Sequence, residues 1–241
     1  MDADLIPPAR AMQIRYEMDG PLYTTFVVAV LAGISVAGAA ELAWGSQIPD
    51  ANHRFTAVSA AWNSRCNRHS PNIMQTLHSL HGGDVQAIRK RRHDLKVMVS
   101  TAIAHGEPSW QVGLMVHAFG DSYAHTHFAH GTEESYGIPF DHGYDGNTPD
   151  QIRRFPQKYL LYVDNLYEAL GGPDEPATVL ARLRGIVEGA VDIGAGIAAY
   201  AVELGMSEDL SRRVCERLLA QVSESDVNQM VRFMQDHFRR M

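Results

Sequence analysis

The chain of 241 residues has only two cysteines, Cys66 and Cys215, and they share no CxxC spacing. That rules out a disulfide framework and a cysteine-built zinc finger. Any metal chemistry must then rest on His, Asp and Glu. No apolar run reaches the roughly 20 residues that a membrane span needs. The longest, Phe26 to Ala40, falls short, and the acidic Glu17 and Asp19 stand where a signal peptide would carry positive charge. It is therefore expected to be a buried helix in a soluble, unprocessed, cytoplasmic chain. Positive charge is also short, with 21 Lys and Arg against 28 Asp and Glu and a net charge of −7. Such a field repels polyanions, so nucleic acid is not expected as a stoichiometric partner, and the run Arg89-Lys90-Arg91-Arg92 reads as a solvated helix face. Period-two alternation is missing throughout, which excludes an extensive β-sheet.

What remains is helical. At 45% hydrophobic and 20% charged residues, the chain has the composition of a globular protein. The pattern predicts an apolar helix from Leu22 to Trp44, interrupted at Ile48-Pro49-Asp50, and a short helix from Asn72 to Ser79 stopped by Gly82-Gly83. Asp84 is an N-cap for a helix running to His105, and Gly106-Glu107-Pro108 breaks it. Ser109 can cap the next helix, from Trp110 to about Phe128. Residues 129–147 read as loop. Thr148-Pro149-Asp150-Gln151 opens a helix that continues to Leu170 and stops at Gly171-Gly172. Further helices are expected from Glu175 to about Leu204, from Ser207 to Val222 and from Ser223 onward. The expectation is one all-α domain over 1–241, with its chemistry in about 19–160 and C-terminal helices over about 175–241 that carry no motif.

Histidine is abundant: there are 12, and six lie between His105 and His142. His117, Asp121 and His125 recur every four residues, so a helix places them along one stripe. Their apolar neighbours turn that stripe inward, where unpaired polar groups are costly. Imidazole nitrogen and carboxylate oxygen are ligands suited to zinc. His127 competes with His125 for one role, because one helix cannot aim both at a point. His130, beside Gly131, reads as exposed. The segment Asp141-His142-Gly143-Tyr144-Asp145-Gly146-Asn147 can chelate through His142 and Asp145, or form a simple turn. Asp50 ends the apolar helix as a ligand or a cap. His78 and His81 form a pair at helical spacing, of which either, both or neither is a ligand. His69, His93, His105 and His237 have no partner in the pattern.

Three motifs occur together in order: Ser46-Gln47-Ile48-Pro49-Asp50, His117-x3-Asp121-x3-His125, and His142-Gly143-Tyr144 leading to Pro149-Asp150. The combination resembles the zinc-dependent phospholipase C / S1–P1 nuclease superfamily, specifically an uncharacterised bacterial branch, over roughly Asp19 to Lys158. The resemblance implies a multi-helix bundle of the phospholipase C / P1 nuclease type and a cluster of two or three zinc ions. It implies that Asp50, one of His78 and His81, His117 and Asp121 hold one part of the cluster. His125 or His127, with His142 and Asp145, would hold another. Asp50 and Asp121 would be the catalytic carboxylates, Asp50 as general base and Asp121 as a bridge between metals. The superfamily's amino-terminal histidine has no counterpart before His53, so Asp19 or Glu17 stands in or the site holds two ions.

The activity so implied is metal-dependent hydrolysis of phosphoric esters, with phospholipid at a membrane surface as the preferred substrate. A nuclease or other phosphoesterase of the same fold is the alternative, and a non-catalytic zinc-binding helical protein is the alternative from another class. A lipid-attacking enzyme without a signal peptide would be a toxin exported by a specialised secretion system.

Overall fold

A computed structural model describes residues 16–51, 55–56, 70–129, 131–137 and 151–240. The expected single N-terminal helix is a helical hairpin, α1 (Tyr16–Leu31) and α2 (Val36–Ala51). The break has a local cause. Gly33 takes the left-handed conformation at φ +92°, which ends α1, and Ser35 Oγ accepts a hydrogen bond from the Gly38 amide to start α2. Pro49 does not interrupt α2 but lies inside it.

The remaining helices follow as α3 (Ser70–Thr76), α4 (Val85–His105), α5 (Ser109–Ala124), α6 (Pro156–Ala169), α7 (Pro176–Val179), α8 (Ala181–Gly189), α9 (Ile193–Glu203), α10 (Glu208–Gln221) and α11 (Glu224–Arg240). Several caps behave as expected. Asp84 accepts from the Gln86 and Ala87 amides, Gly106 closes α4 at φ +68°, and Ser207 caps α10. Others differ. Pro108, not Ser109, occupies the α5 cap position and makes no side-chain bond there. The start at Thr148-Pro149-Asp150 lies outside the described residues, and α6 opens instead at Pro156, with proline at its first turn. The long helix expected after Glu175 is three helices, the last of them capped by Asp192.

α5 also stops earlier than expected, at Ala124, and the chain turns into the strands β1 (Thr126–Ala129) and β2 (Thr132–Ser135), an antiparallel hairpin pairing His127 with Glu134. β-Branched and aromatic residues suit the strand. Long-range bonds fix the hairpin. Arg92, from α4, donates to Glu133 at 2.8 Å and to the Ser122 carbonyl at 3.0 Å, and Lys158 of α6 donates to the Thr126 carbonyl at 2.7 Å.

At the centre α2 packs along α5. α4 and α6 flank α5, α9 covers α1, α10 covers α2, and α11 crosses α3, α4 and α5. Phe26, Trp44, Leu114 and Phe119 are at most 1% exposed, and each such side chain contributes about 1.5–3 kcal/mol of burial. The same core includes Leu183, Ile197, Val231 and Met234, so the C-terminal helices pack into one core with the N-terminal ones. Among the described residues no helix is long and apolar enough to cross a membrane.

Candidate metal centre

Three stretches of the chain converge on one point. α2 carries Asp50 in its last turn, the segment after α3 supplies His78, and α5 carries His117 and Asp121, with His125 at its C-cap. Asp121 Oδ2 is the hub. It lies 3.1 Å from His78 Nδ1, 3.3 Å from His117 Nε2 and 3.5 Å from His125 Nδ1. His117 Nε2 is also 3.3 Å from His78 Nδ1 and 3.9 Å from Asp50 Oδ1. Both of these histidines are nearly inaccessible.

Each imidazole is held by a backbone carbonyl, which can only accept. His78 Nε2–H donates to Phe55 O at 2.7 Å, His117 Nδ1–H to Ser46 O at 2.9 Å, and His125 Nδ1–H to His78 O at 2.7 Å. Those bonds fix the tautomers. They leave the lone pairs of His78 Nδ1 and His117 Nε2 facing each other and a carboxylate oxygen, an arrangement that needs a proton or a cation between them. For His78 and His117, carbonyls gripping the outer nitrogens of inward-facing imidazoles match the usual support of metal-ligating histidines, whereas His125 faces Asp121 with the same Nδ1 that bonds to the His78 carbonyl. The spacing fits as well: a tetrahedral ion with bonds of about 2.05 Å has ligand–ligand edges of about 3.3 Å. Asp50, His78 and His117 each offer a ligand atom, all within 4.8 Å of one another, and so can hold a metal ion.

Electrostatics describe the same cluster with protons. Burial depresses His117, but the carboxylates of Asp121 and Asp50 outweigh it and lift its pKa to about 9. Burial opposes ionisation of Asp121, yet His125 and His117, with hydrogen bonds from His117 and His78, hold it well below the usual carboxylate range. Asp50 is displaced upward, because the crowding of its carboxyl by protein atoms exceeds the pull of His117 and His78, although about a third of the side chain stays exposed.

The predicted residues therefore divide. Asp50, His78, His117, Asp121 and His125 come together. His81 does not join them. Burial and the cations of Arg91 and Arg92 push its pKa down to about 4, surroundings that disfavour a metal ion. His127 does not join either. The amide of His125 still bonds to Asp121 O, which preserves the last helical turn, whereas His127 belongs to the strand and stacks on Tyr136 with ring centroids 4.4 Å apart. His142 and Asp145 lie outside the described residues, as do His130 and His53.

The pattern of side chains did not reveal the three carbonyls or Ser79. Ser79 has φ +50°, in the left-handed region, and its Oγ donates to Ala118 O at 2.8 Å. A non-glycine residue in that conformation beside a site histidine marks a turn held in place by its surroundings. Glycine or asparagine is the usual sequence signal for such a turn, and Ser79 is neither.

No family profile, curated protein or solved structure matches this chain.

Proposed function

We propose that this protein is a metal-dependent phosphoric ester hydrolase of the phospholipase C type, with zinc held by His78, His117 and Asp121 and with Asp50 at the rim. One observation carries the reading: two buried imidazoles, each tied by its outer N–H to a carbonyl, converge at 3.3 Å beside a shared carboxylate. Mixed nitrogen and oxygen donors at tetrahedral spacing favour zinc over magnesium or calcium, which prefer all-oxygen shells.

The site is also asymmetric. The His78 and His117 side chains are 2% and 1% exposed, but Asp121 is 16% and Asp50 35% exposed. A flank open to solvent favours a catalytic site over a saturated structural one. A divalent cation bound here would polarise a phosphoryl oxygen and acidify a water molecule. The chain's own groups have separate tasks. Asp121 fixes the imidazoles around it. Asp50, at the exposed edge and 3.9 Å from His117, is placed to take a proton from an incoming water. His125 braces the His78 segment through its carbonyl.

The net charge of −7 favours a phospholipid over nucleic acid as substrate. The test is hydrolysis of phosphatidylcholine vesicles, bis-nitrophenyl phosphate and single-stranded DNA by zinc-loaded protein. Phosphatidylcholine cleavage that disappears with chelator and returns with zinc supports the reading. Preference for DNA selects the nuclease alternative, and inertness toward all three in zinc-loaded protein points to the non-catalytic zinc protein.

A further inference from the structure

The α2–α5 crossing has no chemistry of its own, yet it lies one helical turn from the site. A Cβ on Gly45 would come within 2.6 Å of Trp110 Cα and O, and one on Gly113 would come within 2.5 Å of Leu42 O and 2.6 Å of Ser46 N. Every obstructing atom is backbone, so no rotamer change relieves the contact. Gly113 precedes His117 by four residues on α5, and Ser46 precedes Asp50 by four on α2, so each pair shares a helix face. Pro49 adds to this. It is buried inside α2 and lacks the N–H that Gly45 O would accept, and its ring crowds that carbonyl. The next carbonyl along, Ser46 O, lies 2.9 Å from His117 Nδ1.

We propose that Gly45, Gly113 and Pro49 are positioning residues: they seat the Ser46 carbonyl on His117 Nδ1 and thereby keep His117 Nε2 turned into the cluster. This rests on the reading of the cluster as a metal site. The two glycines set how closely the helices approach. The proline sets the tilt of the carbonyl.

The variants are Gly113→Ala, Pro49→Ala and, as a remote control, Leu183→Ala, which removes a fully buried side chain on α8. Cobalt(II) titration gives affinity, thermal unfolding of metal-free protein gives stability, and proton NMR follows the exchange-protected imidazole N–H of His117. Gly113→Ala should weaken cobalt binding by about 10–100-fold, the usual loss for groups behind a ligand. Pro49→Ala should weaken it in the same direction while the melting temperature holds or rises, because a regular helical hydrogen bond is restored. A purely structural role cannot separate the two in that way. Leu183→Ala should melt earlier with cobalt affinity within about threefold of wild type.

Unchanged affinity in Pro49→Ala overturns the proposal, and that variant decides the matter if Gly113→Ala does not fold. If wild type itself binds no cobalt, the metal reading fails on its own. The protected N–H signal then decides: its loss in Pro49→Ala upholds the positioning role, and its persistence refutes it.

Discussion

The most quantitative consequence concerns competition between a proton and a metal at His117. In metal-free protein its pKa is about 9, against an ordinary 6.5. At pH 7 only about 1% of molecules then have a free Nε2 lone pair, whereas at pH 9 about half do. Metal affinity should therefore climb about 50-fold between pH 7 and pH 9, and uptake at pH 7 should release about one proton. A histidine with the ordinary pKa would yield a rise of only about 1.3-fold over the same interval. Competition titration against a chromophoric chelator measures the slope, and a weakly buffered titration measures the proton. A rise below about threefold would refute the electrostatic account of the cluster.

Stability of the metal-free protein follows with a defined sign. His117 has a folded pKa above its unfolded value, so its contribution is complete below pH 6.5 and disappears as pH rises through about 9. The loss is at most about 3 kcal/mol. Asp121 acts in the opposite sense: its stabilisation is present above pH 3.8 and fades as pH falls toward its depressed folded value.

Further expectations are as specific. His78→Ala should reduce metal affinity by at least about 100-fold while His81→Ala leaves it within about threefold, as equilibrium dialysis of the pair can check. His127→Ala should behave like His81→Ala, since its ring packs on Tyr136 outside the cluster; a His127→Ala loss matching that of His78→Ala would contradict the assignment. Arg92→Ala removes a bidentate, largely buried pair with Glu133. It should lower stability by about 1–3 kcal/mol and speed amide exchange across the β1–β2 hairpin, both readable by hydrogen exchange. Phe119→Ala, in the core face of α5, should cost about 3–5 kcal/mol in a denaturant titration.

The helical class was legible because periodicity and caps are local. Asp84 and Ser207 start helices, and Gly106 and Gly171 follow helix ends, where their chemistry requires. The Gly33-Ile34-Ser35 break was equally local, a left-handed glycine followed by a capping serine, but the continuous apolar run around it obscured the signal. Pro49 misled for a different reason. A proline inside a helix is tolerated only when packing compensates, and Pro49 is buried in a helix that packs on α1, α5 and α10, two of them distant in sequence. The four-residue stripe His117–Asp121–His125 was readable as one face of a helix. That His78 and not His81 joins the cluster required knowing where Arg91 and Arg92 lie, and that His125 and not His127 lies beside Asp121 required knowing where α5 stops. The carbonyls of Ser46, Phe55 and His78 carry no side-chain identity, so no residue pattern announces them.

Whether this cluster of side chains binds a metal is decided by metal content. Purified protein reconstituted with zinc and freed of excess should retain at least one equivalent per chain by elemental analysis. Asp121→Asn, which replaces the hub carboxylate by an amide of the same shape, should retain almost none while keeping its helical circular dichroism. Zinc absent from the wild type, or retained equally by a folded Asp121→Asn, would contradict the account.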